Sequence, residues 1–272
     1  MLTEVQKTSL EMLAELQTML KEYHISFQIS FGTALGAKRH GGFIPWDDDV
    51  DIDMTAEDMQ RLMKLWKRIP QDKYFLQNVW TDPYLPGLYW RIRKNNTTSM
   101  DKVGLDLPMH WGIPVDIFAV YHAPKSVWMK KRMLNIYLKA EEISYYPMND
   151  PGGLHSAEMK KAMLRGRILQ KLLFLISRLC RSSDEVFYPE GYPFRTLDNS
   201  FFKKDIFYPA EDIVFEGLHF RGHHREEDYL TEMYGDFMTP PPPEKRTGHQ
   251  TCITDLNRSF SEYVSYDCSR FR

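Results

Sequence analysis

The amino-terminal part of the chain alternates apolar and polar residues in a way that predicts a short strand followed by a helix. Residues 25–31, ISFQISF, alternate strictly, which is the two-residue period of a half-buried strand. Gly32 permits a close backbone approach, and Thr33 is placed to cap a helix over residues 34–40. Because a helix that begins behind a strand can bind an anion at its amino terminus, this junction is a candidate binding site.

A dense run of carboxylates follows that helix. Five aspartates occupy the seven positions 47–53. Within a strand, Asp49, Asp51 and Asp53 share one face, while the residues between them face the core. Three like charges on one face raise one another's pKa unless a cation lies among them. A hard divalent cation resolves this conflict, and Mg²⁺ favours a few carboxylates together with substrate phosphates.

Three further strands are predicted downstream, over residues 74–79, 88–94 and 113–120. In the second of these, Arg91 and Arg93 share a face. Two guanidinium groups there are suited to bind phosphate oxygens, and a solvated or salt-bridged pair is the alternative. The third strand is apolar except for Asp116, which is costly to bury alone and should meet a partner charge or a metal.

Helical periodicity predicts several amphipathic helices. The first covers residues 2–23 and is expected to pack on the core. Thr55 begins a capping-box-like sequence for a second helix over residues 57–68. A third, over residues 160–181, is basic and carries a row of apolar residues on one side: Leu164, Ile168, Leu172, Leu175 and Leu179. Such a helix suits an anionic membrane surface, and packing against the core or an interface is equally compatible.

Composition excludes some classes of protein. The chain is 43% apolar and 26% charged, as in globular proteins, and its net charge of −2 gives no general attraction to nucleic acid, so no such partner is expected. Three cysteines in no metal-like spacing argue against a disulfide framework and favour a reducing compartment. Neither a signal peptide nor a spanning apolar run is found. We therefore expect a cytoplasmic protein, with peripheral contact on the inner membrane face through 160–181 left open.

Several of these features occur together in one known family. Residues 32–52, GTALGAKRHGGFIPWDDDVDI, resemble the signature of the LicD family. Members of this family are phosphotransferases of the nucleotidyltransferase superfold. Their animal relatives are fukutin and fukutin-related protein. The resemblance continues in RIRK from Arg91 with Thr97 or Thr98, in PVDIF from Pro114, and in YLTEMYGDFM from Tyr229 with the later prolines and Lys245-Arg246. It covers most of 25–120 and again 228–249, and it leaves the middle of the chain uncovered.

The resemblance implies transfer of a phospho-substituent from a CDP-activated donor to a sugar hydroxyl. In LicD-like enzymes the substituent is typically phosphocholine from CDP-choline, and in the animal relatives it is ribitol phosphate. The acceptor would be a cell-surface glycan or lipid-linked oligosaccharide, such as a lipopolysaccharide, teichoic acid or capsule precursor. The alternatives are a ribitol or glycerol phosphate transferase, a nucleotidyltransferase on the same fold and, from another class, a non-catalytic nucleotide- or glycan-binding module.

The resemblance also implies roles for individual carboxylates. Asp49 and Asp51 resemble the paired ligands of Mg²⁺ or Mn²⁺, and Asp116 resembles the third catalytic carboxylate, either as the base for the attacking hydroxyl or only as a metal ligand. One of Asp47 and Asp48 is expected on the turn or beside the ligands. The role of Asp53 is left open.

The donor phosphates are expected to meet residues outside the acidic strand. Backbone amides near the glycines would approach a phosphate, and basic side chains would hold its remaining charge. The candidates are Gly32, Thr33, Gly36, Arg39, Arg91, Arg93, Lys245 and Arg246. For Lys245 and Arg246, which follow a run of prolines, a solvated turn is the alternative.

Two features near the carboxyl terminus receive structural interpretations. The histidines His219, His223 and His224 resemble a zinc cluster, but no cysteine lies near them and we expect ordinary surface histidines. Residues 229–238 are predicted to form a helix that ends near Gly235, with its aromatic residues in the core.

The expected fold is α/β, with a nucleotidyltransferase-like small mixed sheet, packed helices and a mostly helical C-terminal part. We expect a single LicD-like catalytic domain over residues 1–272. Its sheet core would lie at about 25–120, its helical middle at about 124–182 and a closing segment at about 211–250.

Overall fold

The computed structural model describes residues 2–102, 104–190, 195–246, 248 and 251–271, and it shows a mixed α/β fold. The helices are α1 (Glu4–Glu22), α2 (Phe31–His40), α3 (Ala56–Leu65), α4 (Val127–Ser144), α5 (Tyr146–Asn149), α6 (Ala157–Leu179), α7 (Lys204–Phe207) and α8 (Glu226–Tyr234). The strands are β1 (Gln28–Ile29), β2 (Asp51–Thr55), β3 (Tyr74–Gln77), β4 (Trp90–Lys94), β5 (Thr98–Asp101), β6 (Pro114–His122), β7 (Glu185–Phe187), β8 (Phe201–Lys203), β9 (Glu211–Phe215), β10 (Leu218–Gly222) and β11 (Thr251–Asp255). The α/β expectation is confirmed.

The central sheet has the strand order β1-β2-β6-β4-β3, with β7 paired to the end of β6 and β8 paired to β7. Strands β2 and β6 are parallel, and the other pairings along this order are antiparallel. The parallel pair therefore lies inside the sheet. The predicted strands over 74–79, 88–94 and 113–120 correspond to β3, β4 and β6.

The strand registers place four polar residues in one row across the sheet. Asp51 of β2 lies opposite Asp116 of β6, Asp116 lies opposite Arg91 of β4, and Arg91 lies opposite Gln77 of β3. Because side chains alternate along a strand and neighbours in register share a face, all four lie on the same face of the sheet. This polar face carries the candidate site.

The opposite face of the sheet forms the apolar core. Ile52, Trp90 and Ile117 are at most 1% exposed. Helix α6 packs on this side, with the ring of Phe174 about 6 Å from the rings of Trp90 and Tyr121 (6.1 and 5.9 Å). Burial of these rings on the helical side leaves the polar row on the other side of the sheet.

The helices expected from the amino-terminal sequence are present. Helix α1 begins with a capping box at Thr3, and α3 begins at Thr55, whose side chain accepts a hydrogen bond from the Asp58 N–H group. The regular part of α3 ends at Leu65, and a 3₁₀ turn completes the predicted helix to Arg68. No helix in the described part of the chain is long and apolar enough to cross a membrane.

The junction between β1 and α2 differs from the expectation. The strand is limited to two residues, and α2 already begins at Phe31, so Thr33 lies inside the first turn of the helix and does not cap it. The Thr33 hydroxyl instead accepts a hydrogen bond from the Asp51 N–H group at 2.9 Å. The Thr33 hydroxyl, which we expected to cap the helix, thus binds the backbone of β2. The predicted end of the helix at Gly41 is confirmed, with Gly41 in the left-handed conformation (φ 72°).

The C-terminal part contains more strand than expected. The two long helices, α4 and α6, lie in the middle of the chain, and β7 to β11 follow them. Residues 211–222 form a hairpin because their apolar residues alternate on either side of Glu216 and Gly217, which both adopt positive φ. Helices α4 to α8 still form more of this part than the short strands do, and the end of α8 at Gly235 is confirmed.

Candidate active site

The acidic loop before β2 is held in place by helix α1. The side-chain amide of Gln6 donates a hydrogen bond to the Asp47 carbonyl at 2.8 Å, and the Ser9 hydroxyl donates to the Asp48 carbonyl at 3.4 Å. The Asp47 N–H group donates to the Ile44 carbonyl at 2.9 Å. The backbone of the loop is therefore fixed by contacts that do not use the carboxylates.

Two of the carboxylates meet at Gly32. A Cβ atom at this position would lie 2.8 Å from Asp47 Oδ2 and 3.6 Å from Asp51 Oδ2. The Gly32 N–H group also donates a hydrogen bond to the Asp51 carboxylate. A side chain at position 32 would therefore displace the Asp47 carboxylate, and the first turn of α2 faces the acidic strand.

Asp51 lies at the centre of a cluster of negative charge. Burial raises the pKa of its carboxyl well above the usual range, and Asp49, Asp116 and Asp47 raise it further, in that order. The Gly32 N–H group works in the opposite direction. Four carboxylates from the acidic loop, β2 and β6 thus interact around Asp51, whereas Asp53, which the strand period places on the same face, is not among them.

Asp116 has the partner charge that its apolar strand requires. Arg91 binds it with two hydrogen bonds, from Nε to Oδ1 at 2.8 Å and from Nη2 to Oδ2 at 3.2 Å. Although burial opposes it, the pKa of Arg91 is raised because of Asp116. The Arg91 guanidinium also lies 4.7 Å from the centre of the Tyr89 ring. Of the two alternatives for Arg91, the structure therefore shows the salt-bridged arginine.

Arg93 is buried beside this pair. It is 1% exposed, and its Nε and Nη1 groups donate to Gln77 Oε1 and the Gly112 carbonyl, both at 2.7 Å. Its Nη2 group is buried and has no hydrogen-bond partner among the described residues. Burial, and then the charge of Arg91, lower the pKa of Arg93 to about 9. A solvated arginine pair is thus excluded, and one donor of Arg93 stays available in the interior.

A cleft joins these groups to the C-terminal part of the chain. It is lined by Val5, Asp48, Asp49, Arg91, Arg93, Ser99, Asp101, Ile113, Pro114, Asp116, Thr251 and Thr254. Strands β5 and β11, which pair with each other, supply the serine, the two threonines and Asp101. The structure therefore brings Asp49, Asp116, Arg91 and Arg93 to one cleft.

The carboxylates have the donor chemistry of a hard divalent cation. The described residues contain no group of three or more acidic, histidine or cysteine side chains arranged to hold an ion. However, the unfavourable ionisation of Asp51 among Asp47, Asp49 and Asp116 is the condition that a divalent cation relieves. Carboxylate oxygens are the donor type that a hard cation such as Mg²⁺ or Mn²⁺ takes.

The other predicted phosphate contacts have different surroundings. A Cβ atom at Gly36 would lie 2.5 Å from the Gly42 carbonyl oxygen, which gives this glycine a packing role. Arg39 donates to the Phe237 carbonyl at 3.0 Å. The Arg246 guanidinium lies 4.9 Å from the centre of the Trp46 ring, next to the acidic loop. Lys245 is exposed at the end of a short 3₁₀ helix.

Asp53 is bound by residues that the sequence interpretation missed. His223 Nε2 lies 3.0 Å from Asp53 Oδ2, and the Tyr188 hydroxyl donates to Asp53 Oδ1 at 2.7 Å. His223 is 1% exposed and stacks on the Tyr229 ring at 3.6 Å. The expectation of a surface histidine is therefore wrong for His223. Gln28 of β1 donates to the Gly222 carbonyl at 2.8 Å, so β10 lies against β1 and carries the histidine inside.

Asp53 and His223 compensate each other's charge. Burial works against a charged imidazole, but the hydrogen bond with Asp53 and the Glu226 carboxylate, 3.5 Å from Nδ1, raise the pKa of His223 to about 9. Burial raises the pKa of Asp53, and His223 opposes that rise. The strand period places Asp53 on the same face as Asp49 and Asp51. This position could have indicated the pairing from sequence, because a buried carboxylate needs a partner. His219, in contrast, is exposed and pairs with Asp212.

Aromatic residues lie beside the polar row on the same face. The rings of Phe31 and Phe118 are 4.6 Å apart, and those of Tyr89 and Phe118 are 5.6 Å apart. All three rings are half-buried. Phe31 has a positive φ of 42°, and its N–H group donates to the Tyr229 hydroxyl at 3.1 Å. We call Phe31, Tyr89 and Phe118 the aromatic patch. The sequence indicates this patch through its two-residue spacing, which places Tyr89 on the same strand face as Arg91 and Phe118 on the same face as Asp116.

Comparison with known proteins agrees with this geometry. Residues 24–150 match the family described as LicD/FKTN/FKRP, nucleotidyltransferase domain. Over 276 aligned residues the chain is 28% identical to the lipopolysaccharide cholinephosphotransferase LicD of Haemophilus influenzae, with 91% of this chain and 95% of that protein covered. An uncharacterised protein of Rickettsia prowazekii is 36% identical over 64 residues, which cover 24% of each chain. Both Asp51 and Asp116 fall within the matched segment, and the two matches together support a LicD-family phosphotransferase.

Proposed function

We propose that this protein transfers phosphocholine from CDP-choline to a sugar hydroxyl of a cell-surface glycan, most directly a lipopolysaccharide precursor, with Mg²⁺ or Mn²⁺ as cofactor. The observation that carries the proposal is the row in which Asp51 and Asp116 lie opposite each other on parallel strands. The similarity to a lipopolysaccharide cholinephosphotransferase over nearly the whole chain supports the choice of substituent and acceptor.

The carboxylates would hold the cation. Asp49, Asp51 and Asp116 are the proposed ligands, and Asp47, which approaches Asp51 across Gly32, would adjust their charge. When bound, a divalent cation would supply positive charge against the donor phosphates and against the charge that develops during transfer. The chain's own contribution is to hold these oxygens on one face of a rigid sheet, which reduces the cost of ordering them.

The proposed reaction is a substitution at the phosphorus that bears choline. The sugar oxygen forms a bond to that phosphorus, the bond from phosphorus to the oxygen of CMP breaks, and CMP leaves with the bonding electron pair. The proton of the sugar hydroxyl passes to a carboxylate of the site, for which Asp116 is our candidate. Arg91 fixes the orientation of that carboxylate through its two hydrogen bonds.

The phosphates of the donor would lie against the basic residues of the cleft. Arg93 supports this part of the proposal because its buried Nη2 group has no protein partner among the described residues, and buried donors are normally satisfied. The first turn of α2, with Gly32 and Thr33, would lie near the donor phosphates, and the Gly32 N–H group would hold the Asp51 carboxylate beside them. Arg246, on the ring of Trp46, would approach from the C-terminal segment.

The aromatic patch supports choline over a polyol as the transferred group. A quaternary ammonium is attracted to the faces of aromatic rings, whereas ribitol and glycerol need hydrogen-bond partners. Phe31 and Phe118 are half-buried and lie on the face that carries Asp116 and Arg91. A choline group there would be next to the carboxylate cluster.

The test is the release of CMP from CDP-choline by purified protein with Mg²⁺ and a glycan-lipid acceptor. We expect release that depends on the acceptor and is abolished by EDTA and by Asp49→Ala. CDP-ribitol and CDP-glycerol are assayed in parallel. Release from either polyol donor in place of CDP-choline would establish the polyol-phosphate alternative, and pyrophosphate from a nucleoside triphosphate would establish a nucleotidyltransferase. If the protein binds a donor but turns over none of the donors tested, the proposal that it is an enzyme is contradicted.

A further inference from the structure

Helix α6 exposes its apolar row to solvent. Leu164, Ile168, Leu172, Leu175 and Leu179 are between 36% and 76% exposed. The residues that attach the helix to the rest of the protein lie on its other side, where Leu173 and Ser177 are buried and Gln170 donates to the Leu88 carbonyl at 2.8 Å. Core packing therefore does not account for the row, although the sequence left that explanation open.

The exposed row is flanked by positive charge. At 3.6 residues per turn the five apolar residues occupy about a quarter of the helix circumference. Lys171 and Arg178 lie along one edge of this strip and Arg165 along the other, and all three are exposed. Glu158, in the first turn, is the only acidic residue in the sequence of α6. We call this strip with its flanking basic residues the α6 surface.

We propose that the α6 surface binds the surface of an anionic phospholipid bilayer, with the helix lying in the plane of the interface. A strip of leucine and isoleucine bordered by lysine and arginine matches both parts of such a surface, since the aliphatic groups enter the acyl boundary and the cations meet lipid phosphates. A second copy of this chain is a poorer match, because two α6 surfaces would bring their basic residues together.

The neighbouring helix shows the same chemistry at its start. Helix α4, which packs against α6, exposes Val127 and Trp128, each 61% exposed. The Arg132 guanidinium lies 5.1 Å from the centre of the Trp128 ring. Tryptophan with a nearby cation is typical of the membrane interface, where the ring and the charge occupy the headgroup layer. This second observation supports a lipid surface as the partner.

The test measures binding of the full-length protein to vesicles in a flotation assay, without donor or acceptor. Vesicles of phosphatidylcholine alone are compared with vesicles that also contain phosphatidylglycerol. We expect binding to the anionic vesicles that weakens as salt is raised. The double substitution Ile168→Gln/Leu175→Gln should weaken it about tenfold or more, and Lys171→Gln/Arg178→Gln should weaken it roughly fivefold for each charge removed.

The matched control is Val214→Gln/Leu218→Gln, which changes two apolar residues of the β9–β10 hairpin that are 44% and 42% exposed. This variant should bind like the unsubstituted protein. Equal binding to both kinds of vesicle, or no effect of the α6 substitutions, would overturn the proposal. Light scattering tests whether the protein forms a dimer. If it does, and if Ile168→Gln/Leu175→Gln dissociates that dimer, the α6 surface is an interface between two copies of this chain and the proposal is overturned. None of these measurements depends on transferase activity.

Discussion

Asp51 and Asp53 lie two residues apart on the same face of β2 and are 8% and 1% exposed, but their surroundings are opposite in charge. Asp51 faces three other carboxylates, and its pKa is raised by burial and by those neighbours. Asp53 faces the imidazole of His223 and the hydroxyl of Tyr188. One strand thus carries Asp51, whose pKa is raised further by its acidic neighbours, and Asp53, for which His223 opposes the rise in pKa.

The difference indicates which carboxylate serves ligand binding. A buried charge that the protein itself compensates is complete without a partner from solution. A buried cluster of like charges is costly unless a ligand or cofactor contributes the opposite charge. We therefore assign function to the cluster around Asp51 and a structural role to the pair of Asp53 and His223, and the following substitutions test that division.

Asp51→Asn should have the largest effect on activity. Removal of one proposed ligand should lower kcat/KM by roughly 10³-fold, because the cation and the transition state lose a direct contact. The folded protein should be as stable as before or more stable, since the substitution relieves repulsion within the cluster. Steady-state kinetics and chemical unfolding measure the two effects.

The same substitution at Asp53 is the matched control. Asp53→Asn should retain activity within about tenfold for each folded molecule, because its carboxylate is not a proposed ligand. A loss of activity at Asp53 equal to that at Asp51, with stability unchanged, would contradict the division between the two sites.

His223→Ala should have the largest effect on stability. It leaves Asp53 buried without its counter-charge, which costs about 3 kcal/mol or more when one partner of a buried pair is removed. Urea unfolding followed by circular dichroism measures the change. His219→Ala, at an exposed position that also pairs with an aspartate, should alter stability by less than about 0.5 kcal/mol and serves as the control.

The ion pair of Asp53 and His223 should also make the stability of the protein depend on pH above neutrality. The pKa of His223 is raised from 6.5 to about 9 in the folded protein, so its stabilising contribution is complete below pH 6.5 and is lost as the pH rises through about 9. The corresponding change in the free energy of unfolding is about 3 kcal/mol. Unfolding curves between pH 6 and pH 10 should show this fall, and His223→Gln should remove it. A flat profile would show that the imidazole is neutral in the folded state.

Arg91→Lys should have the smallest of these effects. Lysine keeps the positive charge beside Asp116 but cannot form two parallel hydrogen bonds, so we expect kcat/KM to fall about tenfold with little change in stability. Arg61→Lys, at an exposed arginine paired with Asp58, is the control and should leave activity unchanged. An Arg91→Lys protein with full activity would show that charge alone is sufficient next to Asp116.

Local patterns in the sequence predicted the parts of the site that depend on neighbouring residues. The alternation in residues 49–54 placed Asp51 on the face opposite Ile52, and the apolar strand around Asp116 required a partner. Both signals arise within a few residues, where the strand period determines the direction of each side chain. The same applies to the cap at Thr55, whose hydrogen bond spans three residues.

The parts that were missed depend on contacts between distant residues. His223 reaches Asp53 across 170 positions, and β11 reaches the cleft by pairing with β5 across about 150 positions. The choice between phosphate binding and a salt bridge for Arg91 also depended on the strand order, which places β4 next to β6. Strand order and register follow from packing of the whole chain, so a periodic pattern within one strand does not determine them.

The contacts between α8, the β9–β10 hairpin and β1 also have a consequence during synthesis. The segment that matches the family ends at residue 150, but His223 and Tyr229, which hold Asp53 and the first turn of α2, follow more than 70 residues later. While the ribosome adds the intervening residues, Asp53 lacks its counter-charge and the Phe31 N–H group lacks its acceptor. The acidic strand therefore reaches its final arrangement only when nearly the whole polypeptide has emerged, and a shortened product that stops before α8 would expose this unfinished sheet to chaperones and proteases.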